Sequence, residues 1–156
     1  MSVYLFAYGS LMNPRSLART LPGARATKNM TLTGYRRKMN VAVAGNAYLN
    51  IVSDSSSTVT GVLIPLSLKE FSLFSSREEG YAQTTVTEHL SEPIEGTVFA
   101  FIAPDVACDL KVPLSYILTC TAGMTAAQRR TWLDETILGE IEDDVALPVY
   151  PFAEMD

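Results

Sequence analysis

The chain of 156 residues is poor in the residues that build covalent or metal frameworks. Its two cysteines, Cys108 and Cys120, lack C-x-x-C spacing. This excludes a disulfide framework and a Cys-rich zinc site, and both read as small buried hydrophobes. His89 is the single histidine, so no His-rich metal site is expected and any Ser-His-Asp arrangement would have to run through it. Positive charge is scarce: Lys and Arg count 12 against 17 Asp and Glu, a formal net charge of -5. Such a chain repels phosphate backbones and anionic bilayers, so neither a nucleic-acid nor a membrane partner is expected. The one basic cluster, Arg36-Arg37-Lys38, alternates along a strand candidate and reads as a solvated edge. Long apolar runs are missing too, since the longest, residues 98–103, is too short to cross a bilayer. The opening Met1-Ser2-Val3-Tyr4-Leu5 lacks the basic and apolar regions of a secretory signal, so a cytoplasmic location is expected. Repeats and low-complexity tracts are absent, which leaves one domain over residues 1–156 ending in an acidic segment, 140–156.

What is present is an ordinary globular mix, with 47% apolar and 19% charged residues, in a chain long enough to bury a core without staples. Strand candidates rich in β-branched and aromatic residues cover 3–8, 30–43 (broken at Gly34), 48–52, 59–64, 81–90 and 97–102. The serine-rich stretch 53–57 reads as a surface loop between two of them. Helix starts are signalled by Asn13-Pro14, by the capping boxes Ser67–Glu70 and Thr125–Gln128, and by Pro113. Gly23, Gly123 and Gly139 are the matching stops. Without β-α-β alternation, a doubly wound sheet is excluded. The expected fold is α+β: a small mixed, largely antiparallel β-barrel with a few short helices. The acidic run 140–144 reads as a solvated tail or loop.

Chemistry can sit in three places. Tyr8-Gly9-Ser10-Leu11 lies between the first strand and the Asn13-Pro14 helix start. A glycine there permits a sharp turn whose backbone N–H groups can face a carboxylate or oxyanion; a plain strand-to-helix turn with a buried Tyr8 is the alternative. The glycines do not have P-loop or dinucleotide spacing, and Ser10 is not in G-x-S-x-G. The second place is Glu78. Phe71, Phe74 and Glu78 recur at i, i+3 and i+7, so a continuing helix puts Glu78 on the apolar stripe and Glu79 about 100° round toward solvent. Desolvation of such a carboxylate raises its pKa toward what a general base needs. The third is Tyr116 on the helix opened by Pro113, either a ligand contact or core. Trp132, Leu133 and Ile137 read as an apolar core stripe, and His89 receives no role.

Taken in order, these blocks resemble the γ-glutamylcyclotransferase-like family. Tyr8-Gly9-Ser10-Leu11 resembles its YGS[NT]L loop. Gly61-Val62-Leu63, leading into residues 68–81, resembles its strand, helix and LD-x-x-E block with a following Gly and Tyr. Pro113-Leu114-Ser115-Tyr116 resembles its P-S-x-x-Y helix start, and Ala122-Gly123 matches a later G-A region loosely. The likeness spans about residues 3 to 138. Two departures stand out. Phe74-Ser75 replaces Leu-Asp, so Ser75 offers only a weaker orienting hydrogen bond. The adjacent Glu78-Glu79 also permits two registers, of which helix phase and the Phe74 match favour Glu78.

The resemblance implies a compact barrel and an intramolecular acyl transfer. The α-amine of a γ-glutamyl amide attacks its own γ-carbonyl and releases 5-oxoproline and a free amine. Glu78 would be the catalytic acid/base; Tyr8, Gly9, Ser10, Leu11 and Tyr116 would bind substrate. No metal, nucleotide or other cofactor is implied, and the partner is a small γ-glutamyl substrate. A hydrolase or transferase acting on a related amide, and a non-catalytic binding or interaction module on the same fold, stay open. So do the identity of the leaving amine and the oligomeric state.

Overall fold

The computed structural model describes residues 2–77 and 80–145, with residues 74–77 described by backbone alone. Strand β1 (Val3–Ala7) leads through a 3-10 turn (Ser10–Met12) into helix α1 (Pro14–Thr20), and two long strands follow, β2 (Lys28–Val43) and β3 (Asn46–Leu66). Helix α2 (Leu68–Arg77), β4 (Ala82–Thr85), a second 3-10 turn (Thr87–His89) and β5 (Thr97–Ile102) come next. The chain then forms β6 (Val112–Pro113), α3 (Leu114–Thr121), α4 (Ala126–Asp134), β7 (Thr136–Ile137) and β8 (Ile141–Glu142).

Six strands form one sheet in the order β4-β5-β1-β3-β2-β7, and β6 pairs with β8 separately. Pairings β1–β3, β2–β3 and β4–β5 are antiparallel; β1–β5 and β2–β7 are parallel. The expected α+β fold with a mostly antiparallel sheet and few helices is therefore present, but among the described residues the outer strands β4 and β7 do not pair and no barrel closes. The sheet curls instead. Leu90 bridges to Leu32, Ser91 N–H donates to the Thr31 carbonyl at 2.9 Å, and the Thr33 hydroxyl donates to the His89 carbonyl at 2.9 Å.

Alternation along β1 separates the two sides of the core. Phe6 and Tyr8 face the main cluster with Leu32, Tyr48, Ile51, Val59 and Trp132. Leu5 and Ala7 face a smaller cluster with Leu17 of α1, Leu21 just after that helix, and Val62, Ile64 and Phe101. Gly61 permits this layering, because a Cβ there would meet the Ala7 carbonyl oxygen at 2.5 Å.

The helix-capping signals act as expected. Asn13 Oδ1 accepts from Arg15 N–H at 3.0 Å, and both capping boxes are formed. Several other expectations need correction. The two strands expected at 48–52 and 59–64 are one strand, β3. Its partner register jumps from Thr33↔Thr58 to Tyr35↔Ser53, so residues 54–57 bulge out opposite Gly34. That bulge is held by Asp54, which accepts from Ser56 N–H and from the Ser56 and Ser57 hydroxyls. The strand expected over 81–90 stops at Thr85, because buried Val86 turns the chain into the 3-10 segment; His89 ends exposed, edge-on to Tyr35. Helix α4 ends at Asp134, well before Gly139. There the Thr136 hydroxyl folds back onto the Trp132 carbonyl at 2.5 Å and Thr136 joins β2. Ile137 consequently sits 40% exposed rather than in the core.

The acidic run after Gly139 is solvent-exposed over residues 140–143, as expected, but it is paired rather than a free tail and its last carboxylate turns inward. β8 pairs with β6, and Asp144 is buried, accepting from Ser115 N–H at 2.8 Å and from its hydroxyl at 2.5 Å. Arg37, finally, is no solvated edge: it is 0% exposed. Tyr35, Arg37 and Met39 lie on the same face of β2 by the two-residue period, and that face is the core.

Candidate active site

The 8–11 loop leaves the end of β1 and is held from several directions. The Tyr8 side chain is buried, and its hydroxyl donates to the Phe101 carbonyl of β5 at 2.6 Å. The Tyr8 carbonyl accepts from Arg37 Nε at 2.8 Å and from the Trp132 indole N–H at 3.4 Å. Beyond it, Met12 N–H donates to the Gly9 carbonyl and Asn13 N–H to the Ser10 carbonyl, which closes the 3-10 turn. Ser10 and Leu11 are half-buried. Among the described residues nothing accepts from the N–H groups of Gly9, Ser10 and Leu11. Asn13 Nδ2 donates to the Thr119 carbonyl at 3.0 Å, which ties the loop to α3, the helix that carries Tyr116.

Gly9 is packed tightly against the core side of the loop. A Cβ at this position would lie 2.9 Å from Leu49 Cδ1 and 3.4 Å from the Tyr116 hydroxyl oxygen. The missing side chain thus lets backbone approach a buried hydroxyl. The Tyr116 ring packs edge-on to Tyr48, with centroids 4.8 Å apart. Burial pushes the Tyr116 hydroxyl well above its ordinary pKa, with the neighbouring Cys120, Tyr81 and Tyr8 adding to the effect. It is a neutral hydroxyl at physiological pH. The Cys120 thiol is pushed up to about 12 by burial, against the opposing pull of Tyr116 and Arg37, so it is a neutral thiol and no nucleophile. The Tyr81 hydroxyl donates to the Leu49 carbonyl at 2.7 Å and brings the segment after α2 to the same place.

Below the loop lies an ion pair. Arg37 Nη1 meets Glu135 Oε1 at 2.9 Å, and Nη2 donates to the Thr60 carbonyl. Glu135 Oε1 also accepts from Thr60 N–H at 3.0 Å and from its hydroxyl at 2.8 Å. The guanidinium lies 5.0 Å from the Trp132 ring centroid. Burial pulls the Arg37 pKa down and Glu135 holds it up, so this internal cation keeps its charge.

Of the residues singled out from sequence, the structure brings Tyr8, Gly9 and Tyr116 together, with Ser10 and Leu11 at the mouth of the turn. Glu78 and Glu79 lie outside the described residues, as does the side chain of Ser75. The preceding helix α2 is docked through Phe71, whose ring lies 5.2 Å from that of Phe99.

A family model described as gamma-glutamyl cyclotransferase, AIG2-like, matches residues 5–115. The chain belongs to this family. Solved structures share its fold at low identity. An uncharacterized protein from Homo sapiens has a TM-score of 0.70 at 14% identity, covering 93% of this chain and 96% of that chain. A structure titled gamma-glutamyl cyclotransferase has a TM-score of 0.67 at 12% identity, covering 94% and 96%. YkqA from Bacillus subtilis has a TM-score of 0.65 at 17% identity, covering 85% of this chain and 53% of its own. No curated protein matches the chain by sequence.

Within this cyclotransferase-like fold, the sequence reading assigned no site role to Arg37, Glu135 or Leu49, and it read Trp132 as core, which it is, without its bond to the loop. Arg37 carried a signal: flanked at i±2 by Tyr35 and Met39, it shares their face of the strand. Glu135 and Trp132 carried none, since their partners are remote in sequence.

Proposed function

We propose that this chain is a γ-glutamyl cyclotransferase, converting a small γ-glutamyl amide to 5-oxoproline and a free amine. The observation that carries the reading is the approach of Gly9 to the Tyr116 hydroxyl beside an N–H-rich turn, in a chain of this family. The substrate's γ-carbonyl faces the loop donors. Its α-ammonium gives a proton to Glu78, and the freed amine attacks the γ-carbon and forms the ring C–N bond. The loop N–H groups and neutral Tyr116 donate to substrate oxygens, including the oxyanion of the tetrahedral intermediate. Glu78 then returns the proton to the leaving nitrogen as the amide C–N bond breaks, and the ring nitrogen, cationic after its attack, sheds its extra proton to solvent to give the neutral lactam. Because attack is intramolecular, folding the substrate into a near-attack shape supplies much of the rate. The same reading places the protein in the cytoplasm, with a small-molecule substrate and no cofactor.

The test is 5-oxoproline release from a panel of γ-glutamyl dipeptides and γ-glutamyl amines. Glu78→Gln should lower kcat by about 10²–10⁴-fold, and Glu79→Gln by less than about tenfold. Loss confined to Glu79→Gln moves the base by one residue. Loss in neither, with active wild type, removes the glutamate-base mechanism. A wild type silent across the panel leaves a binding module on the same fold.

A further inference from the structure

Two donors converge on one acceptor beneath the loop: Arg37 Nε and the Trp132 indole N–H both reach the Tyr8 carbonyl. The next residue is glycine, so rotation of the Tyr8–Gly9 peptide about its flanking bonds meets little steric resistance. A peptide in that position turns over unless something holds it. The holding group here is fixed in turn: Arg37 is fully buried, its other nitrogens are bonded to Glu135 and the Thr60 carbonyl, and its face lies over Trp132. The described peptides are all trans, and in a trans peptide the C=O and N–H point to opposite sides. Fixing the Tyr8 carbonyl on Arg37 and Trp132 therefore fixes the Gly9 N–H on the side away from them. Arg37 itself is unsuited to receive a substrate carboxylate, since it is closed off from solvent and its charge is matched by Glu135.

We infer that Arg37 and Trp132 are positioning residues that lock the Tyr8–Gly9 peptide, so that the Gly9 N–H is presented as a donor to the oxyanion formed on the substrate's γ-carbonyl. What the N–H serves rests on the cyclotransferase reading; the lock itself does not.

The experiment uses Arg37→Lys, which keeps the charge for Glu135 but not the guanidinium fork, and Trp132→Phe, which keeps a ring under Arg37 but cannot donate. In 5-oxoproline release, Arg37→Lys should lower kcat by about tenfold to a hundredfold and Trp132→Phe by about threefold, the smaller loss matching its longer bond. KM should stay within about twofold in both, because a donor used only in the transition state leaves ground-state binding alone. Independently of activity, the Gly9 amide of ¹⁵N-labelled protein should give one resonance in wild type. It should be displaced or doubled in the variants, while that of Gly45, in the turn between β2 and β3 and away from Arg37, holds. An unmoved Gly9 resonance, or a displaced one with unchanged kcat, overturns the inference. If Arg37→Lys does not fold, Trp132→Phe decides by the same two readouts. A silent wild type counts against the cyclotransferase reading alone, and the Gly9 resonance then decides the lock.

Discussion

Strand β2 carries two buried polar clusters close together, around Arg37 and around Asn40, and they are satisfied by opposite means. The Arg37 cluster is charged and reaches outward, joining the end of β1, Thr60 of β3, and Trp132 and Glu135 at the end of α4. The Asn40 cluster is made of amides. Asn40 is the extra residue of a bulge, where the register shifts between Met39 and Val41. Its Nδ2 donates to Asp105 and to the Val106 carbonyl, and its Oδ1 accepts from Asn50. Asn50 donates to the Ala103 carbonyl and accepts from the Ala103 N–H. An amide both donates and accepts, so this cluster satisfies itself with no charge inside beyond the partly exposed Asp105. Its task is local, pinning the chain where it leaves β5. The charged cluster supports a loop whose shape matters, and it depends on both members of the pair remaining.

The comparison breaks if single deletions rank the other way. Arg37→Met leaves the Glu135 carboxylate largely buried without its cation, which should cost about 3–5 kcal/mol. Asn50→Leu leaves the Ala103 peptide groups and Asn40 short of partners, at about 1–3 kcal/mol. Urea unfolding of both variants compares them directly. Replacing the pair together, as Arg37→Met with Glu135→Leu, should recover much of the first loss, because the charge left behind is the costly part. No such recovery is expected on pairing Asn50→Leu with Asn40→Leu, since the Ala103 peptide groups stay unpaired.

These clusters also mark the limit of what the sequence displays. Contacts between near neighbours were legible: Ser67 with Glu70, Thr125 with Gln128 and Asn13 with Arg15 each lie within one helical turn, where spacing alone implies the bond. The 8–11 loop was legible as a turn for the same local reason. Its support was not, because Tyr8 meets Arg37 and Trp132 only after the sheet has curled. Asp144 shows the same thing at α3. Pro113 offers the helix no side-chain cap, and the cap comes instead from the acidic tail. Composition labelled that segment by its charge and could not show that one carboxylate turns inward.

Titration separates the two clusters further: the Cys120 thiol feels Arg37, whereas the Tyr48 hydroxyl, opposite Val41 next to the Asn40 bulge, feels Asp144 and Glu142. Burial pushes the Cys120 thiol up from 9.0 to about 12, and the Tyr48 hydroxyl up from 10.0 to about 12. A raised native pKa means that the native state holds its proton where the unfolded chain has released it. The stabilisation is complete below about pH 9 and is lost as pH rises through about 12. For Cys120 the loss should reach about 2–3 kcal/mol by pH 11. Urea midpoints measured from pH 7 to 11 should be flat at first and then fall. Cys120→Ala should flatten the fall, whereas Asn50→Leu should lower the whole curve without changing its shape.

The smallest effect is expected at the Asp144 cap, which lies between the two designs: a buried charge met by a backbone N–H and a hydroxyl rather than by a cation. Asp144→Ala removes the acceptor for Ser115 N–H in the first turn of α3 and should cost about 1 kcal/mol, as other N-caps do. Asp144→Asn keeps an acceptor for Ser115 N–H and loses the charge near the positive end of the helix together with the acceptor for the Ser115 hydroxyl, which can turn to accept from the new amide, so it should cost about 0.3–1 kcal/mol. Because Asp144 is 6% exposed, both losses should persist at high salt, unlike that of an exposed pair such as Lys28–Glu92. An Asp144→Ala loss as large as that of Arg37→Met would mean that the cost follows from burying charge of any kind. A loss near 1 kcal/mol would assign the cost at Arg37 to the stranded countercharge, and Asp144 escapes that cost because it has no counterion to strand.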